Sequence, residues 1–136
     1  LPDEWDDSIA GVCVIFHENI YKMWYSGNSG SSYLGSSDYH IGYATSTDGI
    51  TWQRYDDLST TSSPYAYSDP VLRPCPELWD DRSLSSPCVI YKDGQYMMWY
   101  EGTGYNDIQR HKIGFATYPE YIHKLKETKK YIYGNK

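Results

Sequence analysis

The sequence predicts an all-β fold built from two copies of one four-stranded antiparallel unit. Three observations predict it. The stretch Tyr21-Lys22-Met23-Trp24-Tyr25-Ser26-Gly27 returns as Tyr96-Met97-Met98-Trp99-Tyr100-Glu101-Gly102. Short runs of β-branched and aromatic residues alternate with turn residues through both halves. The rings are sixteen Tyr and five Trp against two Phe, amphipathic groups that suit half-buried strands and surfaces for polar, ring-shaped ligands.

In the first half, Trp5-Asp6-Asp7 precedes the apolar run Val12-Cys13-Val14-Ile15-Phe16. The turn His17-Glu18-Asn19 leads into Tyr21 to Tyr25, and a Gly/Ser-rich loop separates this from Ile41-Gly42-Tyr43-Ala44-Thr45. After Thr47-Asp48-Gly49, the run Ile50-Thr51-Trp52-Gln53-Arg54 reads as the fourth strand. The second half repeats the order. Trp79-Asp80-Asp81 precedes Pro87-Cys88-Val89-Ile90-Tyr91, Lys92-Asp93-Gly94 makes the turn, and Ile113-Gly114-Phe115-Ala116-Thr117 follows the next loop. Matching the copies pairs Trp5 with Trp79, Val14 with Cys88, Trp24 with Trp99 and Ile41 with Ile113, and changes in spacing fall in turns and loops. The first unit with its connection covers 1–68, and the second with a C-terminal extension covers 69–136. Pro119 to Lys126 reads either as a short helix, with a late strand at Tyr131 to Tyr133, or as the fourth strand at Tyr121 to Leu125. The chain opens at Leu1 without Met or a signal-peptide pattern, as a processed, trimmed or excised chain would.

Composition excludes several classes. A net charge of −6 is the wrong sign for a nucleic-acid partner, and the basic cluster His123 to Lys130 reads as a solvated face. No apolar run of the ~18 residues needed to cross a membrane occurs. Cys13, Cys75 and Cys88 have neither zinc spacing nor an even count, so each reads as a free, buried thiol. No set of Asp, Glu and His has metal spacing, and the stretch Gly27 to Ser37 is a flexible loop, not a phosphate cradle. Neither a metal nor a cofactor is expected.

A four-stranded meander in tandem is the blade of a β-propeller. The ordered set here is narrower: Pro-Cys-Val-Ile, Met-Trp-Tyr-x-Gly, Ile-Gly-Tyr-Ala-Thr-Ser-x-Asp-Gly-Ile-x-Trp, then Asp-Pro-Val-Leu. It resembles the five-bladed propellers of glycoside hydrolase families forty-three and thirty-two and the related mannoside phosphorylases, over nearly the whole chain. Ser46 to Trp52 also resembles the Asp box of sialidase propellers, one residue short, which makes Asp48 a turn cap.

Glycosidases of this kind need two carboxyl groups flanking the scissile bond. The resemblance places them just before the innermost strand opens, which here means Ser85 and Ser86 in copy two and Gly11 and Val12 in copy one. None is acidic. The weaker catalytic candidates are Asp80, Asp81 and Glu101. In the inferred topology the inner-strand starts and the loops between second and third strands share one end. Trp5, Asp6, Asp7, Trp79, Asp80, Asp81, Arg82, Glu101, Arg110 and His111 are therefore candidate ligand-binding residues, with His40 and His111 at matched positions. The Trp-Asp-Asp pairs equally suit loop tethering, since Asp favours turns and Trp anchors packing.

Two blades share one interface and leave two apolar faces open, each at or above the ~300–600 Å² of a typical monomer's largest patch. Head-to-tail association covers them and closes a propeller. Three protomers make six blades, the expected assembly; two make four. The leading expectation is a non-catalytic, lectin-like carbohydrate-binding propeller of two-bladed protomers. The alternatives are a glycoside hydrolase or phosphorylase with its site between protomers, and a purely structural ring.

Overall fold

The computed structural model describes residues 4–30 and 38–119. Seven strands form two antiparallel sheets, and no α-helix occurs among the described residues. The first sheet runs β1 (Ser8–His17), β2 (Ile20–Asn28), β3 (His40–Ser46), β4 (Gln53–Arg54) in that order. The second runs β5 (Ser83–Lys92), β6 (Gln95–Thr103), β7 (Lys112–Pro119), with a single 3-10 turn at Tyr105–Asp107 between β6 and β7. Each sheet is a meander of the propeller-blade type. Pro119, read as a possible helix start, instead ends β7, and the rest of the helix-or-strand alternative for 119–130, with the expected fourth strand of the second unit, lies outside the described residues.

Both first hairpins close on two residues of positive φ. These are Glu18 and Asn19 (57° and 61°) between paired His17 and Ile20, and Asp93 and Gly94 (52° and 76°) between paired Lys92 and Gln95. Such a left-handed pair matches the twist of the flanking strands, and Asn, Asp and Gly are the residues that tolerate it.

The inner strands share a second irregularity. The β1–β2 register skips one residue between Ala10 and Val12, and the β5–β6 register breaks between Ser85 and Cys88. Gly11 and Ser86 sit there with φ of 50° and 54°, marking a bulge that re-aims the strand. Past the bulge, Cys13 faces Trp24 and Cys88 faces Trp99. Cys13, and not Val14, is therefore the counterpart of Cys88: the cross-strand Trp sets the rung, not the apolar run.

The outer strand of the first sheet is also shorter than Ile50 to Arg54. Asp48 Oδ1 accepts the N–H groups of Ile50 and Thr51 at 2.8 Å each and the Ser46 hydroxyl at 2.9 Å. Those backbone donors are spent on the turn, so pairing with β3 begins only at Gln53. Their hydrogen bonds hold the Asp48 carboxyl down at about 2.

The sheets stack face to face, with β5 packed against β1, β2 and β3. Trp24, Ile41, Tyr43 and Leu72 meet Leu84, Val89, Tyr96, Met98 and Tyr100 in one buried cluster. Full burial of one such side chain stabilises by roughly 1.5–3 kcal/mol, so this interface is the main source of stability. Polar bonds set its register: Val89 N–H donates to Cys13 Sγ (3.1 Å), Ser86 N–H to Ser26 Oγ (2.9 Å), and Leu84 N–H to the Tyr39 carbonyl (2.7 Å).

Candidate functional site

Register puts the starts of β1 and β3 beside the end of β2, since Ser8 pairs with Asn28 and His40 with Gly27. In the second sheet Ser83 pairs with Thr103 and Lys112 with Gly102, so the equivalent ends coincide. The Trp-Asp-Asp segments arrive at this same end.

Their first carboxylates are structural. The Tyr25 hydroxyl donates to Asp6 Oδ2 at 2.6 Å, and the Tyr100 hydroxyl to Asp80 Oδ2 at 2.7 Å. Trp5 stacks on Tyr25 (6.0 Å, 17°) and Trp79 on Tyr100 (6.3 Å, 7°). These Trp–Asp pairs lie over Gly27 and Gly102, where an added Cβ would come within 2.7 Å of Asp6 Cβ or of the Trp79 ring. Glycine is required there by close approach, not by φ. Asp6 also accepts from Arg54 (2.7 Å) and Ser68 (3.1 Å). Asp6 and Asp80 are thereby buried and engaged as tethers.

Above the tethers lies a cavity of about 330 Å³ at the junction of the two sheets. Trp5, Asp81 and Arg82 line it, as do Asn28, Asp38, His40, Tyr65, Arg73 and Tyr105. Arg82 Nε donates to Asp38 Oδ1 (2.9 Å) and the Tyr105 hydroxyl to Asp38 Oδ2 (3.1 Å), while Asp81 Oδ1 accepts Tyr105 N–H (2.9 Å). Bonding to Asp38 raises the Tyr105 phenol above its usual range. Arg73 lies 4.1 Å over the Tyr65 ring and reaches Asp69 at 3.3 Å. His40 stacks on Trp5 (6.0 Å, 20°), and its buried Nδ1 has no partner among the described residues. Burial first, and then the Arg73 charge, push the His40 imidazolium down to about 4, so the ring is neutral near pH 7.

A second cavity of about 230 Å³ shares the Arg82 wall and is lined by Tyr39, Ser83, Ser85, Thr103, Ile108 and His111. None of these is acidic. Glu101 pairs instead with His111 and accepts from the Ser86 hydroxyl (3.3 Å). Register places Lys112, not His111, at the counterpart of His40, and Lys112 lies over Trp79 as His40 lies over Trp5. Trp79 is packed against Tyr100 outside both cavities, Asp7 is exposed, and Arg110 extends into solvent near Asp107. Gly11, Val12, Ser85 and Ser86 fall on or beside the bulges and none carries a carboxylate; the acid that reaches the second bulge is Glu101, from the facing strand. No metal-holding group of His, Cys, Asp and Glu forms among the described residues, and none of their helices is long and apolar enough to cross a membrane.

Sequence reasoning missed Asp38, Tyr65, Arg73 and Tyr105. Each is an isolated loop residue, and only His40 carried a repeat-based clue.

No protein-family model matches the chain. Two proteins of Mycobacterium tuberculosis, both described only as uncharacterized, are 30% and 29% identical over 93 and 92 residues; each match covers 68% of this chain and 25% of the relative. Among solved structures, a glycosyl hydrolase from Bacteroides ovatus superposes with a TM-score of 0.62 at 19% identity, covering 85% of this chain and 30% of that one. A structure from the GH130 family of mannoside phosphorylases, which contains glycoside hydrolases that target β-1,2 mannosidic linkages in Candida mannan, gives 0.61 at 18% identity with the same coverage. A GH43 enzyme from Xanthomonas citri complexed with xylose gives 0.56 at 14% identity, covering 80% and 28%. These likenesses define the fold. The chain is a partial propeller unit resembling the five-bladed β-propeller glycoside hydrolases, and it spans under a third of their length and a quarter of the two relatives.

Proposed function

We propose that this chain is a non-catalytic, carbohydrate-binding propeller unit whose ligand sits in the cavity between the two blades. The observation that carries this is the cavity's lining. It has aromatic walls from Trp5, Tyr65 and Tyr105, two guanidinium groups, the Asp38 carboxylate and the neutral His40 ring. A sugar offers apolar ring faces and a rim of hydroxyls, and stacking aromatics with a few convergent polar groups match both. The volume is at the small end of the ~300–1,000 Å³ of ligand sites, which suits one or two sugar units. The non-acidic residues at Gly11, Val12, Ser85 and Ser86 favour binding without hydrolysis, because both glycosidase mechanisms need paired carboxyl groups.

Calorimetric titration with neutral monosaccharides and manno- or xylo-oligosaccharides tests the reading. Binding without turnover, weakened at least tenfold by Arg82→Ala and by Tyr105→Phe, is the expected result. Binding unaffected by both variants would sink it.

One observation favours a second reading. Glu101 stands beside Ser86 and His111 near the position where an acid is expected, and the solved neighbours include hydrolases and phosphorylases. Release of nitrophenol from aryl glycosides, abolished by Glu101→Gln, would select a glycosidase or phosphorylase completed by other blades.

A further inference from the structure

Arg82 stands between two cavities, and the two differ in charge. The first, of about 330 Å³, is lined by two guanidinium groups, Arg73 and Arg82, and by two carboxylates, Asp38 and Asp81. The second, of about 230 Å³, is lined by Arg82 and His111, with no carboxylate among its described residues. Such a lining is selective in a chain of net charge −6. Glu101 pairs with His111, accepts from the Ser86 hydroxyl and lines neither cavity.

Three segments serve both cavities, and residues of both blades line each of them. Asp38 and His40 line the first and Tyr39 the second; Arg82 lines both; the β6–β7 loop gives Tyr105 to the first and Ile108 and His111 to the second. The two spaces adjoin across the Arg82 side chain, so one chain-like ligand reaches both.

Arg82 is fixed in place, and most of its donors are unused. Its Nε donates to Asp38 Oδ1 at 2.9 Å, its Cζ lies 5.8 Å from the centre of the Tyr105 ring, and its backbone N–H donates to the Thr103 carbonyl at 3.1 Å. Its two Nη groups make no hydrogen bond among the described residues, although the side chain is only 24% exposed. A guanidinium fork left open in this way matches a carboxylate bidentately. The hydroxyls of the second cavity add donors. Ser85 and Thr103 make no side-chain hydrogen bond among the described residues, and Ser83 Oγ accepts Tyr39 N–H (3.0 Å) while keeping its own hydrogen to give.

The geometry points to an acidic sugar unit, a hexuronate, in the second cavity, linked to a neutral unit in the first. This rests on the carbohydrate-binding reading above and narrows it from sugars in general to acidic oligosaccharides. The carboxylate takes the Arg82 Nη pair and the hydroxyls of Ser83, Ser85 and Thr103, while Tyr39 and Ile108 give the sugar ring an apolar side. The smaller volume suits a single unit. Asp38 and Asp81 turn the carboxylate away from the first cavity, because like charges brought together are costly. A neutral sugar in the second cavity leaves the guanidinium fork without its charged partner.

Calorimetric titration with the dimers of glucuronate, galacturonate and mannuronate, each beside its dimethyl ester, tests this. The ester keeps the shape and removes the charge. At least one dimer is expected to bind about tenfold tighter than its ester. That advantage is expected to shrink with added sodium chloride. Arg82→Lys keeps the charge and loses the fork, and Ser85→Asp sets a carboxylate in the second cavity. Each is expected to remove the preference for acid over ester, with circular dichroism checking the fold; the wild-type comparison stands whatever either variant does.

If neither neutral nor acidic sugars bind, the carbohydrate-binding reading falls and the acidic unit falls with it. Neutral sugars that bind while no dimer is preferred over its ester overturn the acidic unit alone. A preference that survives in folded Ser85→Asp and is lost in Arg73→Lys puts the carboxylate in the first cavity and overturns it too. So does inorganic phosphate that displaces the dimer at equal concentration, which marks a site for a free anion.

Discussion

Tyr100 donates its hydroxyl hydrogen to Asp80 Oδ2 at 2.7 Å, and that bond is the sole side-chain partner shown for the Asp80 carboxylate among the described residues. Asp6, its counterpart, accepts from Tyr25 and also from Arg54 and Ser68. The two tethers are alike in geometry and unequal in support.

Tyr100→Phe is therefore expected to cost more than Tyr25→Phe. Leaving a buried acceptor unpaired costs about 1–3 kcal/mol, more for a charged one. Asp80 would lose its bond, while Asp6 would keep two. Urea unfolding of the two variants checks the order, and a reversed order contradicts it.

Gly42 lies against the ring of Tyr25, and Gly114 against the ring of Tyr100; a Cβ at either place would overlap the ring. Gly42→Ala and Gly114→Ala are each expected to destabilise by about 1–3 kcal/mol through overpacking. Gly114→Ala combined with Tyr100→Leu is expected to cost less than the sum of the single changes, because the clash and its partner are removed together. Thermal melts of the singles and the double measure the coupling.

The Asp48 carboxyl is held low by the N–H groups of Ile50 and Thr51 and the Ser46 hydroxyl. A depressed folded value means that its contribution is complete above the ordinary carboxylate range and disappears as pH falls through about 2. Asp48→Ala is expected to lower the melting temperature at pH 7 and to lose less further stability on acidification than wild type. Equal acid sensitivity in the two proteins would contradict this.

His40 gives a slope at higher pH. Its folded value is about 4 against an ordinary 6.5, so between those values the unfolded chain binds a proton that the folded chain does not. Stability is then full above pH 6.5 and falls as pH drops toward 4. The upper bound is roughly 3.5 kcal/mol, at about 1.4 kcal/mol per pH unit. His40→Phe, which keeps a ring against Trp5, is expected to flatten this window. Melting temperatures from pH 7.5 to 4 decide it.

Much of the fold was legible in the chain. The repeated Trp-Tyr-x-Gly ends, the Glu18-Asn19 and Asp93-Gly94 turns and the cap role of Asp48 are local chemistry, and local chemistry is written in sequence. The Trp-Asp-Asp pairs admitted both a tethering and a binding role. The fold gives the first Asp of each pair to a tyrosine hydroxyl, and in the second copy brings Asp81 and Arg82 to the cavity wall.

The sequence by itself determined that two like units exist, where their turns lie, and that acids are missing at Ser85 and Ser86. Only the tertiary structure decided which rung each residue occupies and which carboxylates are buried. The bulges at Gly11 and Ser86 set the rung, because one unpaired residue reverses which face every later side chain takes. The cavity joins residues from Trp5 to Tyr105 across both sheets, and no periodicity within one strand encodes a contact of that separation.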